Sequence, residues 1–420
     1  MFLKNLNNLT KLTFYEKLFL LFPVVLVLRP LIINIFLISI IFILIYELFK
    51  KKYLNIIKEE KWILFFLFFI FYSIFRGFFA KDWLLAVTSS ISLFRFFFFS
   101  LFIFLCINNL KNLNYITKFW VVILIFLCID TIFQYFFVRD LFNFSKQGLR
   151  LTGPFGRHQI IGAYLSYISI PLMFYFFSRI RNFDFQKKFL LFLIYFLLFI
   201  TIAITGERLA FIIFLFGSLV NFFSFFRTKY FVFLFFLNFF LLLILYYFNP
   251  TFHYRINELY LTIINFKNSG WGRLYYSGYL VFKSNIFFGV GLKNYATICD
   301  NEIIDPLKDV VGVSQHFCDT HPHHFYLEIL SESGIIGFLL LLLTFGSFFS
   351  SIIHKINKLK NNSNYKKFKG LLYGNLFILF IYFWPIKTSG RFFTTWNGSF
   401  FWFNLGMALL ITKDFYKKNK

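Results

Sequence analysis

Long apolar runs recur along the whole chain, and they restrict what it can fold into more than any other feature. LIINIFLISIIFILIYELF (31–49) and KYFVFLFFLNFFLLLILYYF (229–248) are two of them. Runs of about 18 or more apolar residues cross the bilayer core of about 30 Å as a helix. Hydrophobic residues make up 59% of the 420 residues and charged residues only 15%, which agrees with this interpretation. We therefore predict an all-α polytopic membrane protein.

The pattern predicts about twelve transmembrane helices. They cover residues 17–29, 31–49, 62–78, 84–108, 117–138, 159–178, 188–205, 208–225, 229–248, 324–350, 368–386 and 396–412. Lys and Arg are concentrated in alternate loops, on the side that also holds the N-terminus. Basic loops stay in the cytoplasm, so we expect both termini to be cytoplasmic.

The segment 249–323 is the one sizeable stretch between predicted spans. Its length of about 75 residues exceeds that of a plain connector, and long structured loops are usually functional. We predict a periplasmic loop subdomain at 249–323, inserted between nine helices in 1–248 and three helices in 324–420. The short connection 139–157 is expected on the same outer side.

The formal net charge of +25 would suggest a nucleic-acid partner in a soluble protein. Here the basic residues lie mostly in short loops between apolar runs, and no basic soluble domain interleaved with aromatic residues is present. We therefore expect membrane lipids, and no nucleic acid, as partners.

Two of the four cysteines lie in the predicted periplasmic segment. An oxidising compartment would permit a disulfide between Cys299 and Cys318. Two unpaired thiols are the main alternative, and a zinc site with nearby histidines is a weaker one, because the spacing fits no common zinc pattern. Cys106 and Cys128 lie inside apolar runs and are expected to be packing residues.

Ionisable residues gather at the predicted outer boundary of the membrane, where they need a reason to be. They are Arg150, Arg157, Arg208, Arg273, His323, His324, Glu328 and Glu332. Arginine binds phosphate groups bidentately, and a neutral imidazole accepts a proton from a hydroxyl. This combination favours glycosyl transfer from a lipid-linked diphosphate. No DxD-type metal site occurs in the outer segments, so we expect neither a metal nor a cofactor.

Each of these residues also has a structural interpretation. Arginine at the end of a span commonly reaches toward lipid phosphate, and Arg208 could pair with Glu207. The two histidines could merely cap a helix. Gly334 and Gly337 could allow one helix to pack closely on another.

One stretch carries a family resemblance. His323-His324, nine further residues and then Gly334-Ile-Ile-Gly337 resemble the hallmark of the O-antigen ligase family, a His-Asn pair, nine residues and Gly-x-x-Gly. The family belongs to a superfamily that also contains O-antigen polymerases. The resemblance extends over about 125–340, through RLTGPFGRHQIIGAYL, TGERLAF and RLYYSGYLVFKSNIFFGVGLKNY.

The resemblance implies roles for several residues. His323 takes the place of the family's essential histidine, a proposed base, and Arg208 and Arg273 match arginines that hold the lipid diphosphate. His324 stands where the family has asparagine, which leaves open which histidine acts. We expect Arg150 and Arg157 to assist in diphosphate binding. Glu328, Glu332 and the two glycines of the motif are expected to be supporting residues, with Glu328 placed to orient His324.

The resulting hypothesis is a metal-independent, inverting glycosyltransferase of the bacterial inner membrane, with its active site facing the periplasm. It would move a glycan from undecaprenyl diphosphate to an outer-leaflet acceptor such as the lipid A core. The alternative is a polymerase that joins lipid-linked repeat units, although the short 139–157 connection favours a ligase. A transporter is a different class, but no inverted repeat supports one.

Overall fold

The computed structural model describes residues 12–49, 54–304, 317–385, 387–388 and 390–415, and this part of the chain contains helices and no strands. The helices are α1 Phe14–Val27, α2 Pro30–Phe49, α3 Leu54–Glu59, α4 Lys61–Gly77, α5 Trp83–Ile91, α6 Leu93–Cys106, α7 Leu113–Phe137, α8 Ile161–Phe177, α9 Phe185–Ile204, α10 Arg208–Phe225, α11 Thr228–Phe248, α12 Pro250–Ile264, α13 Gly270–Ser284, α14 Tyr295–Ile298, α15 Phe325–Leu359, α16 Ser363–Tyr382 and α17 Thr395–Ile411. The predicted all-α class is confirmed.

Among the described residues, seven helical stretches are long and apolar enough to cross a membrane. They are Pro30–Phe49, Trp83–Cys106, Leu110–Phe137, Phe185–Ile204, Arg208–Phe225, Thr228–Phe248 and Phe325–Leu359. The other five predicted spans coincide with α1, α4, α8, α16 and α17. Four of these have 14 to 17 residues, and α16 begins with a polar turn. A multi-pass membrane protein is supported, whereas the total of twelve spans stays a prediction.

The segment 249–323 is largely helical rather than irregular. It contains α12, α13 and α14, followed by a π-helical turn at Cys299–Ile304. Residues 305–316 lie outside the described part of the chain. The position of this segment on the periplasmic side, and the division of the chain into 1–248, 249–323 and 324–420, stay predictions.

The chain forms two compact units, each assembled from segments that are distant in sequence. The first unit comprises residues 1–36, 106–260 and 361–381, and the second comprises residues 37–105, 261–360 and 382–420. Each unit contains one of the charged clusters described below.

The core of the first unit is α8, which is buried along almost its whole length. Glycines on its neighbours permit this close packing. A Cβ atom at Gly374 of α16 would lie 2.5 Å from the Cα atom of Pro171, and one at Gly217 of α10 would lie 2.9 Å from Ile170. Small residues of this kind allow helix backbones to approach in a membrane.

The second unit is organised around a break in α15 at Gly334, whose backbone is left-handed with φ 64°. The carbonyl groups of Ser331 and Glu332 accept hydrogen bonds from the N–H groups of Val290 and Gly291, at 2.9 and 2.8 Å. Beyond the break, the N–H groups of Ile335 and Ile336 donate to the carbonyl groups of Ile286 and Phe287. The segment 286–291 thus supplies the hydrogen bonds that the helix loses, which irregular backbone inside a membrane protein requires.

Two glycine motifs make this contact possible. A Cβ atom at Gly289 would lie 2.5 Å from the carbonyl carbon of Glu332, and one at Gly334 would meet the carbonyl oxygen of Phe287. The Gly-Val-Gly sequence at 289–291 and the first glycine of Gly-Ile-Ile-Gly therefore face each other. The motif glycines set the close approach of two backbones.

Replacing Gly334 by alanine is expected to destabilise the fold strongly. The left-handed φ costs an ordinary residue about 1–3 kcal/mol, and the overpacked Cβ atom adds about 1–3 kcal/mol. Gly346 lies on the same helix with no heavy atom within 4 Å of its would-be Cβ atom, so Gly346→Ala is the matched control. Thermal unfolding in detergent measures both variants, and equal midpoints would contradict this account of the break.

Candidate active site

His323 and Asp319 form a pair in the segment that precedes α15. The Nε2 atom of His323 lies 3.1 Å from the Oδ2 atom of Asp319. A carboxylate only accepts, so in the neutral imidazole Nε2 carries the proton and Nδ1 holds the lone pair. Within the described chain, Nδ1 has no hydrogen-bond partner. The side chain is 22% exposed.

The backbone of His323 is left-handed, with φ 53°. This conformation is uncommon for a residue other than glycine, and strained residues cluster at functional sites. Here it turns the chain so that His323 reaches back to Asp319, although residues 319–323 are not helical. The left-handed backbone of His323 and its contact with Asp319 therefore occur together in this turn.

Helix α13 forms one wall around the histidines. The ring of Trp271 meets that of His323 edge-on at 5.1 Å, and the ring of Tyr275 lies 4.7 Å from that of His324. One turn further, a Cβ atom at Gly278 would lie 2.7 Å from the Cβ atom of Pro322. Residues 271, 275 and 278 share one helix face, and this face packs on the histidine segment.

His324 is engaged on both ring nitrogens. Its Nε2 atom donates to the carbonyl oxygen of Pro385 at 2.8 Å, and its Nδ1 atom accepts from the N–H of Leu327 at 3.3 Å. His324 therefore caps the N-terminus of α15, as the structural interpretation of this residue suggested. Its hydrogen bonds go to Leu327 and Pro385 rather than to Glu328.

Glu328 and Glu332 lie one turn apart on α15 and are 1% and 3% exposed. Glu328 accepts from the N–H of Phe392 at 3.1 Å, and Arg391 approaches Glu332 at 3.4 Å and Glu328 at 4.0 Å. Buried carboxylates need such partners. The same Arg391 donates to the carbonyl oxygen of Thr320. The two glutamates thus hold an arginine that fixes the backbone next to Asp319.

Cys299 and Cys318 form a disulfide, with their Cα atoms 5.9 Å apart across 19 residues. Cys299 is buried in a small core with Val281, Tyr295 and Ile298. Cys318 directly precedes Asp319 in the chain. The disulfide therefore ties the histidine segment to this core, and Cys318 is not available as a zinc ligand.

A second charged cluster lies in the first unit, around Glu258 of α12. Its Oε2 atom accepts from Arg255 at 2.6 Å and lies 3.5 Å from Arg208. The Nε atom of Arg255 also donates to the carbonyl oxygen of Gly206 at 3.1 Å. Burial and the nearby charge of Arg255 lower the pKa of Arg150, which places this third arginine in the same electrostatic environment. Arg208 and Arg255 thus share one carboxylate, and Arg150 lies within the electrostatic influence of the same group.

Glu207 takes no part in an ion pair with Arg208. Its two carboxylate oxygens accept from the N–H groups of Gly162 and Ala163, at 2.6 and 3.1 Å, at the N-terminus of α8. Burial raises the pKa of Glu207 to about 7. The Glu207–Arg208 pair considered from the sequence is therefore wrong, and the partner of Arg208 is Glu258. The cluster keeps an excess of positive charge, which suits an anion such as phosphate.

Residues 193–342 match the model of the O-antigen ligase family. This match supports an assignment to the O-antigen ligase family. Members of this family are membrane enzymes of the glycosyltransferase kind, both ligases and polymerases. No curated protein matches the chain. The matched region includes Arg208, Arg255 and Glu258 of the arginine cluster, and Asp319 and His323 of the histidine segment.

Two of the predicted site residues, Arg157 and Arg273, do not join the side chains of either cluster in the structure. Arg157 is exposed, and no contact within the described residues joins it to the arginine cluster. Arg273 is two positions from both Trp271 and Tyr275, about 200° around α13. Its side chain therefore leaves the helix on a different face from those that meet the histidines. Diphosphate binding by either arginine stays a prediction.

Sequence reasoning missed four residues that the structure brings into the two clusters. They are Arg255, Glu258, Asp319 and Arg391. Asp319 lies in the predicted periplasmic segment, and its spacing of four residues from His323 was a usable indication. Arg391 lies between the predicted spans 368–386 and 396–412, far in sequence from its partners.

Proposed function

We propose that this protein is a metal-independent, inverting glycosyltransferase that moves a glycan from undecaprenyl diphosphate to an outer-leaflet acceptor such as the lipid A core. The observation that carries the proposal is the His323–Asp319 pair, which leaves one imidazole nitrogen able to take a proton. We place the protein in the bacterial inner membrane, with the active site toward the periplasm and both termini in the cytoplasm.

In the proposed reaction, His323 is the general base. A hydroxyl group of the acceptor sugar gives its proton to Nδ1 of His323 while its oxygen attacks the anomeric carbon of the donor glycan. The bond from that carbon to the diphosphate oxygen breaks, and undecaprenyl diphosphate leaves with the electron pair. Attack opposite the leaving group inverts the configuration at this carbon.

The arginine cluster is proposed to bind the diphosphate. Arg208 and Arg255 would bind the phosphate oxygens through their positive charge, and Arg150 would add to the positive field. Arginine forms paired, charge-assisted hydrogen bonds with phosphate oxygens. Glu258 occupies these arginines in the structure, and the phosphate group would compete with it.

This competition predicts the effect of one substitution. Glu258→Gln is expected to tighten binding of inorganic pyrophosphate several-fold, because it removes a negative charge from two guanidinium groups without removing the side chain. Isothermal titration on the purified protein measures the dissociation constant. Weaker binding by the variant would show that Glu258 prepares the arginines for the anion instead of competing with it.

A polymerase is the alternative, since it needs the same donor chemistry. The short connection between α7 and α8 favours a ligase. Gln134 of α7 holds this connection closely through the N–H groups of Thr152 and Gly153, at 2.8 and 2.9 Å.

Deletion of the gene tests the proposal, with surface glycolipid resolved on a gel. A ligase predicts that long glycan chains persist on undecaprenyl diphosphate and vanish from the lipid A core. A polymerase predicts single repeat units attached to the core. An unchanged glycolipid profile would refute both, and complementation with the intact gene is the control.

A further inference from the structure

We propose that Asp319 is the positioning residue of His323, and that the Cys299–Cys318 disulfide holds Asp319 in place. This inference rests on the proposed function of His323 as a base. It adds that the reaction requires the carboxylate of Asp319 and the intact Cys299–Cys318 disulfide.

The first argument is the geometry of the Asp319 carboxylate. Its Oδ1 atom accepts from the N–H of Thr320 at 2.6 Å, and its Oδ2 atom accepts from Nε2 of His323 at 3.1 Å. One oxygen thus fixes the carboxylate on the backbone while the other fixes the imidazole. The proton is kept on Nε2, and Nδ1 remains for the substrate.

The second argument is that the pair does little for folding. The Asp319 side chain is 49% exposed and that of His323 is 22% exposed. A pair of side chains that water reaches contributes little to stability, even when both are charged. The pair nevertheless comes with a left-handed backbone at His323, which is unfavourable. Function explains an arrangement of this kind better than stability does.

The third argument concerns what holds the segment in place, because residues 317–324 contain no regular helix. Three attachments fix it within the second unit. Cys318 is bonded to the buried Cys299, Arg391 binds the carbonyl oxygen of Thr320, and Pro322 packs against Gly278. The disulfide is the covalent attachment, and it adjoins Asp319 directly. Its removal would free the carboxylate to leave the imidazole.

The chemistry of the pair gives the expected effect. When His323 takes the proton of the acceptor hydroxyl, it becomes an imidazolium, and the carboxylate stabilises that charge. Asp319→Asn keeps the size of the side chain and removes its charge. We expect kcat to fall about 10²–10⁴-fold, the range for an impaired general base, while pyrophosphate binding and the thermal midpoint stay unchanged.

Matched variants separate positioning from folding. Asp300→Asn, an exposed aspartate beside Cys299, is expected to behave as the wild type. Asp319→Glu keeps the charge and should recover part of kcat. An Asp319→Asn protein whose midpoint falls in step with kcat, without recovery in Asp319→Glu, would overturn the positioning role.

The disulfide is tested by a double-mutant cycle on kcat. Cys299→Ser/Cys318→Ser is expected to lower kcat in the wild type, and to lower it much less in the Asp319→Asn background, because both changes act through one contact. Independent, multiplying effects would overturn the link between the disulfide and Asp319.

Measuring His323→Ala in the same assay separates this inference from the proposed function. If His323→Ala retains full activity, the base assignment fails and the inference fails with it. If His323→Ala is inactive while Asp319→Asn is fully active, the inference alone fails.

Discussion

Replacing His323 by alanine is expected to lower the kcat of glycan transfer about 10²–10⁴-fold, because the acceptor hydroxyl loses its base. Binding of pyrophosphate should not change, since the imidazole is paired with Asp319 and the diphosphate is proposed to bind the cluster around Glu258. The measurement is transfer of a labelled glycan from undecaprenyl diphosphate by the purified protein, with binding followed separately.

The matched control is His324→Asn, which restores the asparagine of the family hallmark. Its amide oxygen takes the place of Nδ1 and can accept from the N–H of Leu327, so the helix cap survives, whereas the shorter side chain gives up the bond that Nε2 makes to Pro385. We expect near-normal transfer. A fully active His323→Ala, or an inactive but stable His324→Asn, would reverse the assignment of the two histidines.

The second large effect is expected at the arginine cluster. Arg208→Gln and Arg255→Gln should each weaken pyrophosphate binding about 10–100-fold, because a hydrogen bond to a charged group contributes about 1.5–3 kcal/mol. Both should raise the KM for the lipid-linked donor. Titration with pyrophosphate measures binding without any dependence on His323.

Arg157→Gln is the control for charge alone. It removes one positive charge at an exposed position, and its effect on the dissociation constant should stay below about twofold, as expected for a screened surface charge. If Arg157→Gln weakens binding as much as Arg208→Gln, the diphosphate site is not the cluster around Glu258. A normal thermal midpoint must accompany each result, because Arg255 also supports the Gly206 turn.

Local patterns in the sequence predicted what local physics determines. The apolar runs correspond to helices, and the histidine motif lies at a helix start with an unusual backbone. Such local patterns could not predict contacts between segments that are distant in sequence. Arg391 meets Glu332 from 59 residues away, and Arg255 supports Gly206 from 49 residues away. No periodicity encodes either contact.

The glycine motif shows the same limit in another way. Gly334 and Gly337 suggested close packing of one helix on another, which small residues commonly provide. In the structure, Gly334 instead interrupts the helix, because its backbone is left-handed. A sequence pattern can indicate that a position must be small, but it does not distinguish a tight contact from a break.

The break in α15 also determines how this region can be exchanged. Val290 and Ser331 are joined by a hydrogen bond of 2.9 Å, so the intervening chain starts and finishes at nearly the same point of the second unit. That chain carries Asp319 and His323. A graft of residues 292–330 from an O-antigen ligase would therefore join the second unit at one closed junction, and it would also have to keep the contacts of this segment with α13, Pro385 and Arg391.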